Sequence, residues 1–231
     1  IVGEAEKLAK NGAKELILIA QDTTRYSEDL YGELRLPQLL EELCKIKEVS
    51  WLRLLYCYPD RITDELLSVM NREEKVLPYL DLPLQHADST ILRAMNRTGD
   101  RRSLTKLIEH IRKMVPGVTL RTTMIVGFPG EGGREFAQLA EFVKDVGFDH
   151  LGCFTYSPEE GTAAAAMGSQ VPQDVKQRRQ EIIMEEQARM VERRLKKKKG
   201  EILPGLAEGF DAYAECWYGR AASGAPDIDG K

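Results

Sequence analysis

The chain has few cysteines, and none of them stands at metal-binding spacing. Its 231 residues contain four, at Cys44, Cys57, Cys153 and Cys216. The wide separation of these residues argues against both a disulfide framework and a self-contained metal motif of the CxxC type. We therefore expect the chain itself to provide no metal ligands.

Long apolar runs and an excess of charge of one sign are absent as well. No stretch approaches the roughly 20 apolar residues that span a bilayer, and no signal-peptide pattern opens the chain. The 33 basic and 37 acidic residues give a net charge of −4, which provides no overall attraction to nucleic acid. With 42% hydrophobic residues, the composition predicts a globular cytoplasmic protein, not bound to membranes, with one main domain and a small appendage.

Five apolar runs of strand length are present, and each ends in a polar cluster. The runs are Leu16–Ala20, Trp51–Tyr56, Tyr79–Leu84, Thr119–Val126 and His150–Thr155. Segments with helical apolar spacing separate or flank them, at Ile1–Asn11, Pro37–Lys47, Thr63–Asn71, Ser103–Met114, Glu131–Val146 and Val171–Lys199. Because parallel strands that alternate with helices have all their carboxyl ends on one face, we expect the five polar clusters to form a single site.

Local signals mark where several of these elements begin and end. Thr63 and Ser103 are candidate N-caps, and Gly12 and Gly147 are candidate C-caps. Pro83 cannot donate to a sheet ladder, so it should mark where the third strand stops pairing. The pattern predicts an array of five strands that starts inside a helix, with exposed sheet edges that suggest missing sequence.

The peptides at the strand ends resemble a known family. They are Gln21–Tyr26 (QDTTRY), Leu82–Asp88 (LPLQHAD), Val126–Glu131 (VGFPGE) and Tyr156–Thr162 (YSPEEGT). In this order they resemble the radical S-adenosylmethionine methylthiotransferases and, within these, the RimO branch, the ribosomal-protein methylthiotransferases. The tail Ala225–Gly230 (APDIDG) is similar to the start of the TRAM domain signature of that branch.

The resemblance implies an α/β fold with two parts. Residues 1–199 would form strands two to six of a partial radical SAM (β/α)6 TIM-like barrel that lacks its first strand. Residues 200–231 would form an incomplete C-terminal OB-like TRAM β-barrel, in keeping with the alternating aromatic residues there. The chain would then be a fragment without the N-terminal domain of the family.

The resemblance also implies an activity and its cofactors. Enzymes of this branch add a methylthio group to the β-carbon of an aspartate in small-subunit ribosomal protein twelve, so that protein or the ribosomal small subunit would be the partner. They use S-adenosylmethionine and two 4Fe-4S clusters, one of which is held by a CxxxCxxC motif. That motif is absent here, so we predict no radical activity for this chain alone. A MiaB-like tRNA methylthiotransferase and a non-catalytic binding remnant stay open as alternatives.

The resemblance and the strand-end positions assign nine residues to cofactor binding, and no catalytic residue is assigned. The nine are Gln21, Asp22, Gln85, His86, Arg121, Gly127, Phe128, Pro129 and Gly130. The Asp22 carboxylate could accept from the ammonium group of the cofactor, and the glycines at 127 and 130 leave backbone groups accessible to adenine. The structural alternatives are a capped turn at Asp22, a satisfied buried His86 and a buried ion pair at Arg121.

Three residues at the same edge are assigned to substrate contact, namely Arg25, Tyr156 and Ser157. Arg25 could instead pair with the acidic residues that follow it. The basic run Arg193–Lys199 could contact RNA phosphates or form a solvated helix end that suits the helix dipole. Two glycines directly after Glu131 replace a cap and a helix former, which weakens the start of the next helix by roughly 1 kcal/mol each.

Overall fold

The computed structural model describes residues 1–229, so Gly230 and Lys231, the end of the predicted TRAM segment, lie outside the described residues. The helices are α1 (Val2–Lys10), α2 (Glu28–Tyr31), α3 (Leu36–Cys44), α4 (Asp64–Arg72), α5 (Ser89–Ala94), α6 (Arg101–Met114), α7 (Gly133–Val146) and α8 (Gln173–Lys198). The strands are β1 (Glu15–Leu18), β2 (Trp51–Leu54), β3 (Val76–Asp81), β4 (Thr119–Val126), β5 (His150–Thr155), β6 (Gly205–Asp211) and β7 (Cys216–Ala221).

The first five strands form one parallel sheet in chain order, which confirms the predicted α/β class. Each strand pairs with the next, from β1 to β5. Successive helices contact one another in the order α1, α3, α4, α6, α7 and α8, so they cover the same face of the sheet. The opposite face, called the inner face below, carries alternate side chains that include Arg53, Tyr79 and Arg121.

The hydrophobic core lies between the sheet and the helices. Leu52 and Leu80 from the strands and Phe142 from α7 are fully buried there. Ile183 and Met190 bring α8 into the same cluster, so this long helix packs as part of the sheet domain over its middle turns. None of the helices in residues 1–229 is both long and apolar enough to cross a membrane.

β3 starts three residues earlier than predicted and ends at Asp81. The pairing register between β2 and β3 shifts in the stretch that contains Pro78. Proline lacks the amide hydrogen of a regular ladder, so it is tolerated where the pairing is irregular. The strand therefore ends before Pro83, but pairing does not stop there as predicted, because the Leu82 and Gln85 amides on either side of Pro83 donate to carbonyls of β4.

The predicted caps at Thr63 and Gly147 are confirmed, whereas the C-cap of α1 is Asn11, with the predicted Gly12 directly after it at φ 100°. The Thr63 side chain accepts from the Leu66 amide at 3.2 Å, and Gly147 ends α7 in the left-handed region at φ 59°. Ser103 was expected to cap α6, but Asp100 does so and accepts from the Ser103 amide at 2.7 Å. Ser103 then accepts from the Asp100 amide at 2.9 Å, so the two residues cap the helix reciprocally.

The segment after β7 returns to the inner face of the sheet. β6 and β7 form an antiparallel hairpin, and the Asp229 carboxylate then accepts from Tyr79 Oη at 2.6 Å and from Arg121 Nε at 3.1 Å. Ala225 is fully buried between these contacts. A hairpin matches the start of the predicted TRAM barrel, but the barrel itself and the domain boundary at residue 199 stay predictions.

Candidate functional site

The loops that follow β1 to β5 contact one another at the carboxyl edge of the sheet, and this edge is called the mouth below. The Thr23 amide donates to the Tyr56 carbonyl at 2.9 Å, and the Tyr58 amide donates to Thr24 Oγ1 at 3.2 Å. The Tyr156 amide joins the end of β5 to the end of β4 with a 2.9 Å bond to the Val126 carbonyl. The structure therefore brings the strand-end loops together.

Asp22 caps a short 3-10 turn at the end of β1. Its Oδ1 accepts from the Thr24 amide at 3.1 Å and also from the Thr24 hydroxyl, while Oδ2 lies 3.3 Å from Arg61 Nε. The capped-turn alternative thus describes the geometry in this structure. Its carboxylate still borders the mouth, so a role in cofactor binding stays a prediction.

A cavity of about 620 Å³ opens beside Gln21, Asp22 and Arg25. Tyr58 and Arg97 line its other side, with the Arg97 guanidinium 4.8 Å from the Tyr58 ring centroid. The volume lies within the range of about 300–1,000 Å³ that small-molecule sites occupy. Three predicted site residues therefore share one cavity of the size a nucleoside needs.

Arg25 is largely exposed at the rim and forms an ion pair. Its Nε lies 2.7 Å from Glu28 Oε2, which was the alternative to substrate contact. Arg25 and then Arg61 hold the pKa of Glu28 below its ordinary value by hydrogen bonding. Arg25 is thus partnered at the cavity edge, with its side chain accessible to solvent.

Gln85 has two features that are typical of a ligand site. Its backbone is left-handed at φ 70°, a conformation that costs free energy for a residue other than glycine. Its side-chain Oε1 is buried and has no hydrogen-bond partner among residues 1–229. An unpaired buried acceptor is costly, and an N–H donor of a bound ligand would satisfy it.

His86 does not reach the mouth. It is fully buried, and its Nδ1 accepts from the Asp88 amide at 2.9 Å. The proton therefore lies on Nε2, which donates to Glu131 Oε2 at 3.2 Å. Glu131 Oε1 accepts in turn from Arg179 Nη1 at 2.7 Å. His86 thus accepts a hydrogen bond from the Asp88 backbone amide, which agrees with the structural alternative given for this residue.

The turn from Gly127 to Gly130 is covered by α8. Gly127 has φ 74°, and a Cβ added there would lie 2.2 Å from Cγ of Lys176. Phe128 is 6% exposed and packs edge-on against Tyr156, with 5.1 Å between ring centroids. Pro129 is buried and Gly130 exposed. The missing Cβ of Gly127 thus makes room for a lysine of this chain.

Tyr156 has a second unpaired buried polar atom beside the mouth. Its Oη is buried without a hydrogen-bond partner among the described residues. Its carbonyl accepts from Lys176 Nζ at 2.9 Å, and the same ammonium lies 5.0 Å from its ring centroid. Ser157, the next residue, is exposed at the rim.

Arg121 lies near the amino end of β4, away from the turn at 127–130. Its guanidinium is 3.1 Å from Asp229 and 3.5 Å from Asp81. Burial raises the pKa of Asp81 above its ordinary value, and the Arg121 charge opposes that rise. The structure does not bring Arg121 together with the other predicted cofactor residues.

Sequence reasoning missed Lys176 and Arg179, whose side chains extend from α8 and donate hydrogen bonds to the loops of the mouth. Both lie in the first two turns of α8, where the helix dipole disfavours cations. Basic residues at that position were the available signal that these side chains have partners elsewhere in the fold.

The residues present do not fit an iron–sulfur cluster. No three His, Cys, Asp or Glu side chains within residues 1–229 are grouped so as to hold a metal ion. Cys57 and Cys153 are buried, and burial raises the pKa of Cys153 to about 12, so its thiol stays protonated and does not act as a thiolate ligand. The cavity beside Gln21 and Asp22, which Leu84 also lines, and the unpaired oxygen of the next residue, Gln85, do fit a polar nucleoside such as S-adenosylmethionine.

Comparison with known sequences agrees with the resemblance to the RimO branch. Proteins named ribosomal protein uS12 methylthiotransferase RimO match all of this chain at 46% identity over 230 residues in Alkaliphilus oremlandii and at 48% over 232 residues in Pelotomaculum thermopropionicum. The chain covers 52% of each of these relatives. It therefore spans about half the length of the curated relatives that it matches.

Solved structures support the fold, and a match to a family model supports membership of a superfamily. Escherichia coli coproporphyrinogen III oxidase (HemN) matches 83% of this chain and 44% of its own with a TM-score of 0.57 at 19% identity. Streptococcus suis SuiB bound to S-adenosylmethionine matches 81% of this chain and 41% of its own with a TM-score of 0.53 at 14% identity. The sequence model of the Radical SAM superfamily matches residues 1–143. The chain belongs to the Radical SAM superfamily.

Proposed function

We propose that the chain is part of a methylthiotransferase that modifies an aspartate of ribosomal protein uS12 in the cytoplasm. The observation that carries this proposal is the 46–48% identity, along the whole chain, to proteins named for that activity. The convergence of the five strand-end loops at one mouth supports it, because superfamily members act on a cofactor bound at that edge.

S-adenosylmethionine is the cofactor that the superfamily implies, and it would supply the adenosyl group for hydrogen abstraction from the substrate. We assign its binding to Gln21, Asp22 and Gln85, with backbone groups of the turn at 127–130. Gln85 Oε1 would accept an N–H of the ligand, which removes the cost of an unpaired buried oxygen. His86 and Arg121 would act indirectly, through Glu131 and Asp81 respectively.

The proposed enzyme uses two 4Fe-4S clusters, but residues 1–229 do not provide ligands for them. We therefore expect these residues alone to bind the cofactor without radical chemistry. The same observation supports a second candidate for the chain alone, a non-catalytic binding module. Radical cleavage of S-adenosylmethionine by the isolated chain, after anaerobic treatment with iron and sulfide, would contradict this expectation.

Polypeptide and RNA contacts are proposed at two places. Arg25, Tyr156 and Ser157 at the rim of the mouth would contact the ribosomal protein. The basic end of α8, Arg193–Lys199, would contact ribosomal RNA, because its side chains are mostly exposed and cations near phosphates release counterions. The sheet domain would comprise residues 1–199, and residues 200–231 would be the start of a TRAM domain.

Binding of S-adenosylmethionine to the purified chain tests the proposed site. We expect Gln85→Leu to weaken binding about tenfold or more, since a ligand N–H would lose its acceptor. Gln38→Leu is the matched control, because Gln38 lies on α3 with its amide bound to Glu65 on the surface. Equal affinity of both variants, measured by equilibrium dialysis, would exclude Gln85 from the site.

Deletion of the gene that encodes this sequence tests the reaction. We expect the methylthio group to disappear from the uS12 aspartate, as measured by mass spectrometry of ribosomal proteins. Methylthio-adenosine in tRNA should be unchanged. The opposite pattern would support the tRNA-modifying alternative and reject the proposed substrate.

A further inference from the structure

We propose that Lys176, Arg179 and Gln180 of α8, called the α8 clamp below, are positioning residues that set the geometry of the mouth from outside it. This inference rests on the proposed cofactor site at the mouth, but the contacts themselves do not depend on any ligand. None of the three side chains is among the predicted site residues.

Each member of the α8 clamp holds a different part of the mouth. Lys176 Nζ donates to the Tyr156 carbonyl at 2.9 Å, at the end of β5. Arg179 Nη1 donates to both the carbonyl and the carboxylate of Glu131, at 2.9 and 2.7 Å. Gln180 Nε2 donates to the Cys153 carbonyl within β5 at 2.6 Å.

The burial of Lys176 shows that it has a specific role. It is 4% exposed, and its ammonium donates to a neutral acceptor, the Tyr156 carbonyl. A buried lysine without an acidic partner is costly and rare. Its methylene groups fill the space that Gly127 leaves free, and its ammonium packs on the Tyr156 ring at 5.0 Å. One side chain thereby fixes the turn after β4 and the end of β5 together.

Arg179 extends the clamp to the loop after β3. It pairs with Glu131, whose other oxygen accepts from His86 Nε2. His86 accepts from the Asp88 amide, and Asp88 caps α5 by accepting from the Thr90 amide at 2.8 Å. His86 directly follows Gln85, so this buried chain fixes the backbone that carries the unpaired Gln85 oxygen.

Amide hydrogen exchange of the ligand-free chain, followed by mass spectrometry, tests the clamp. Arg179→Met should accelerate exchange about tenfold in residues 84–88 and 127–132, with less than a twofold change in β2, which lies away from α8. Lys176→Met keeps most of the aliphatic stem and should accelerate exchange mainly in residues 153–157. Arg178→Met is the matched control, because Arg178 is exposed and pairs with Glu181 on the surface of α8.

Two further variants keep the test decisive if Arg179→Met is poorly folded. Arg179→Lys retains the charge and should restore most of the protection at residues 127–132. The double variant Arg179→Met with Glu131→Gln removes the unpaired charge but keeps an acceptor for His86, so protection of residues 84–88 should recover. Uniform acceleration across all strands, or no difference from Arg178→Met, would overturn the clamp.

The affinity for S-adenosylmethionine separates this inference from the proposed function. Arg179→Met should bind the nucleoside at least about tenfold more weakly than Arg178→Met. If the unaltered chain binds none, the proposed site fails, and the local exchange changes still decide the clamp. If exchange changes locally while affinity does not, the clamp residues do not position the cofactor site and the inference is wrong.

Discussion

At the scale of single residues, the Lys176 side chain occupies space that exists because residue 127 is a glycine. Gly127 combines a left-handed backbone with a space that the Lys176 stem fills, whereas Gly130 has φ 88° but no heavy atom within 4 Å of an added Cβ. The two glycines of the VGFPGE peptide are thus required for different physical reasons: Gly127 for its backbone conformation and for space, and Gly130 for its backbone conformation. Sequence alone indicated a turn there, but it could not show which glycine was required by a side chain about 50 positions away.

Gly127→Ala should destabilise the chain more than Gly130→Ala. Both alanines carry the cost of a left-handed backbone, about 1–2 kcal/mol, but only Ala at 127 must also displace Lys176, which adds about 1–3 kcal/mol. The difference between the two midpoints of urea unfolding, at an unchanged slope, measures the packing component. Equal midpoints would show that Lys176 moves away without cost.

At the scale of elements, the apolar periodicity predicted the five sheet strands and six helices correctly, but not all of their ends. α5 and α2 were missed because each is too short for a periodic signal, as α5 has only six residues. Serine is a common cap, so the sequence predicts Ser103 as the cap of α6, but Asp100 precedes it with the same preference and is the cap. Contacts such as that between His86 and Glu131 join residues 45 positions apart, and no local pattern encodes them.

The start of α7 gives a prediction at this scale. Gly132 is the N-cap and Gly133 the first helical residue, and nothing lies within 4 Å of a Cβ added at Gly133. Gly133→Ala should therefore stabilise the chain by up to about 1 kcal/mol. A thermal melt should show a rise of about 2–4 °C.

Gly132→Ala is the contrasting variant for that melt. Its Cβ would lie 2.8 Å from Glu135 Oε2, and that carboxylate accepts from the Gly132 amide at 3.0 Å. Disturbing this bond should offset any gain in helix propensity. A larger increase for Gly132→Ala than for Gly133→Ala would mean that the bond contributes little to the start of the helix.

At the scale of the whole molecule, the C-terminal segment fastens the hairpin to the sheet. Arg220 pairs with Glu15 on β1, and Arg53 Nη1 donates to the Ala222 carbonyl at 3.0 Å. Asp229, whose side chain is 2% exposed, lies against Arg121 and His150. The resemblance indicated where this tail begins, but its return to the inner face follows from contacts between residues at least 73 positions apart.

Asp229→Asn should loosen this segment, whereas Asp227→Asn should not. Asp229 accepts from Arg121, Tyr79 and the Ala225 amide, and an amide side chain has only one acceptor oxygen, so at least one donor would face an NH2 group. Breaking a buried ion pair from one side costs about 3–5 kcal/mol. Asp227 is exposed and asparagine tolerates its left-handed φ of 62°, which makes it the matched control.

Trp51 reports the position of the segment, because it packs against the cluster that contains Ala225. The other tryptophan, Trp217, is 73% exposed, so Trp217→Phe leaves Trp51 as the only indole in the chain. In that background, Asp229→Asn should shift the emission to longer wavelength as water reaches Trp51, and Asp227→Asn should leave it unchanged. If neither variant shifts the emission, Asp229 does not hold the segment, and other contacts, such as those of Arg220, Arg53 and His150, fasten the hairpin.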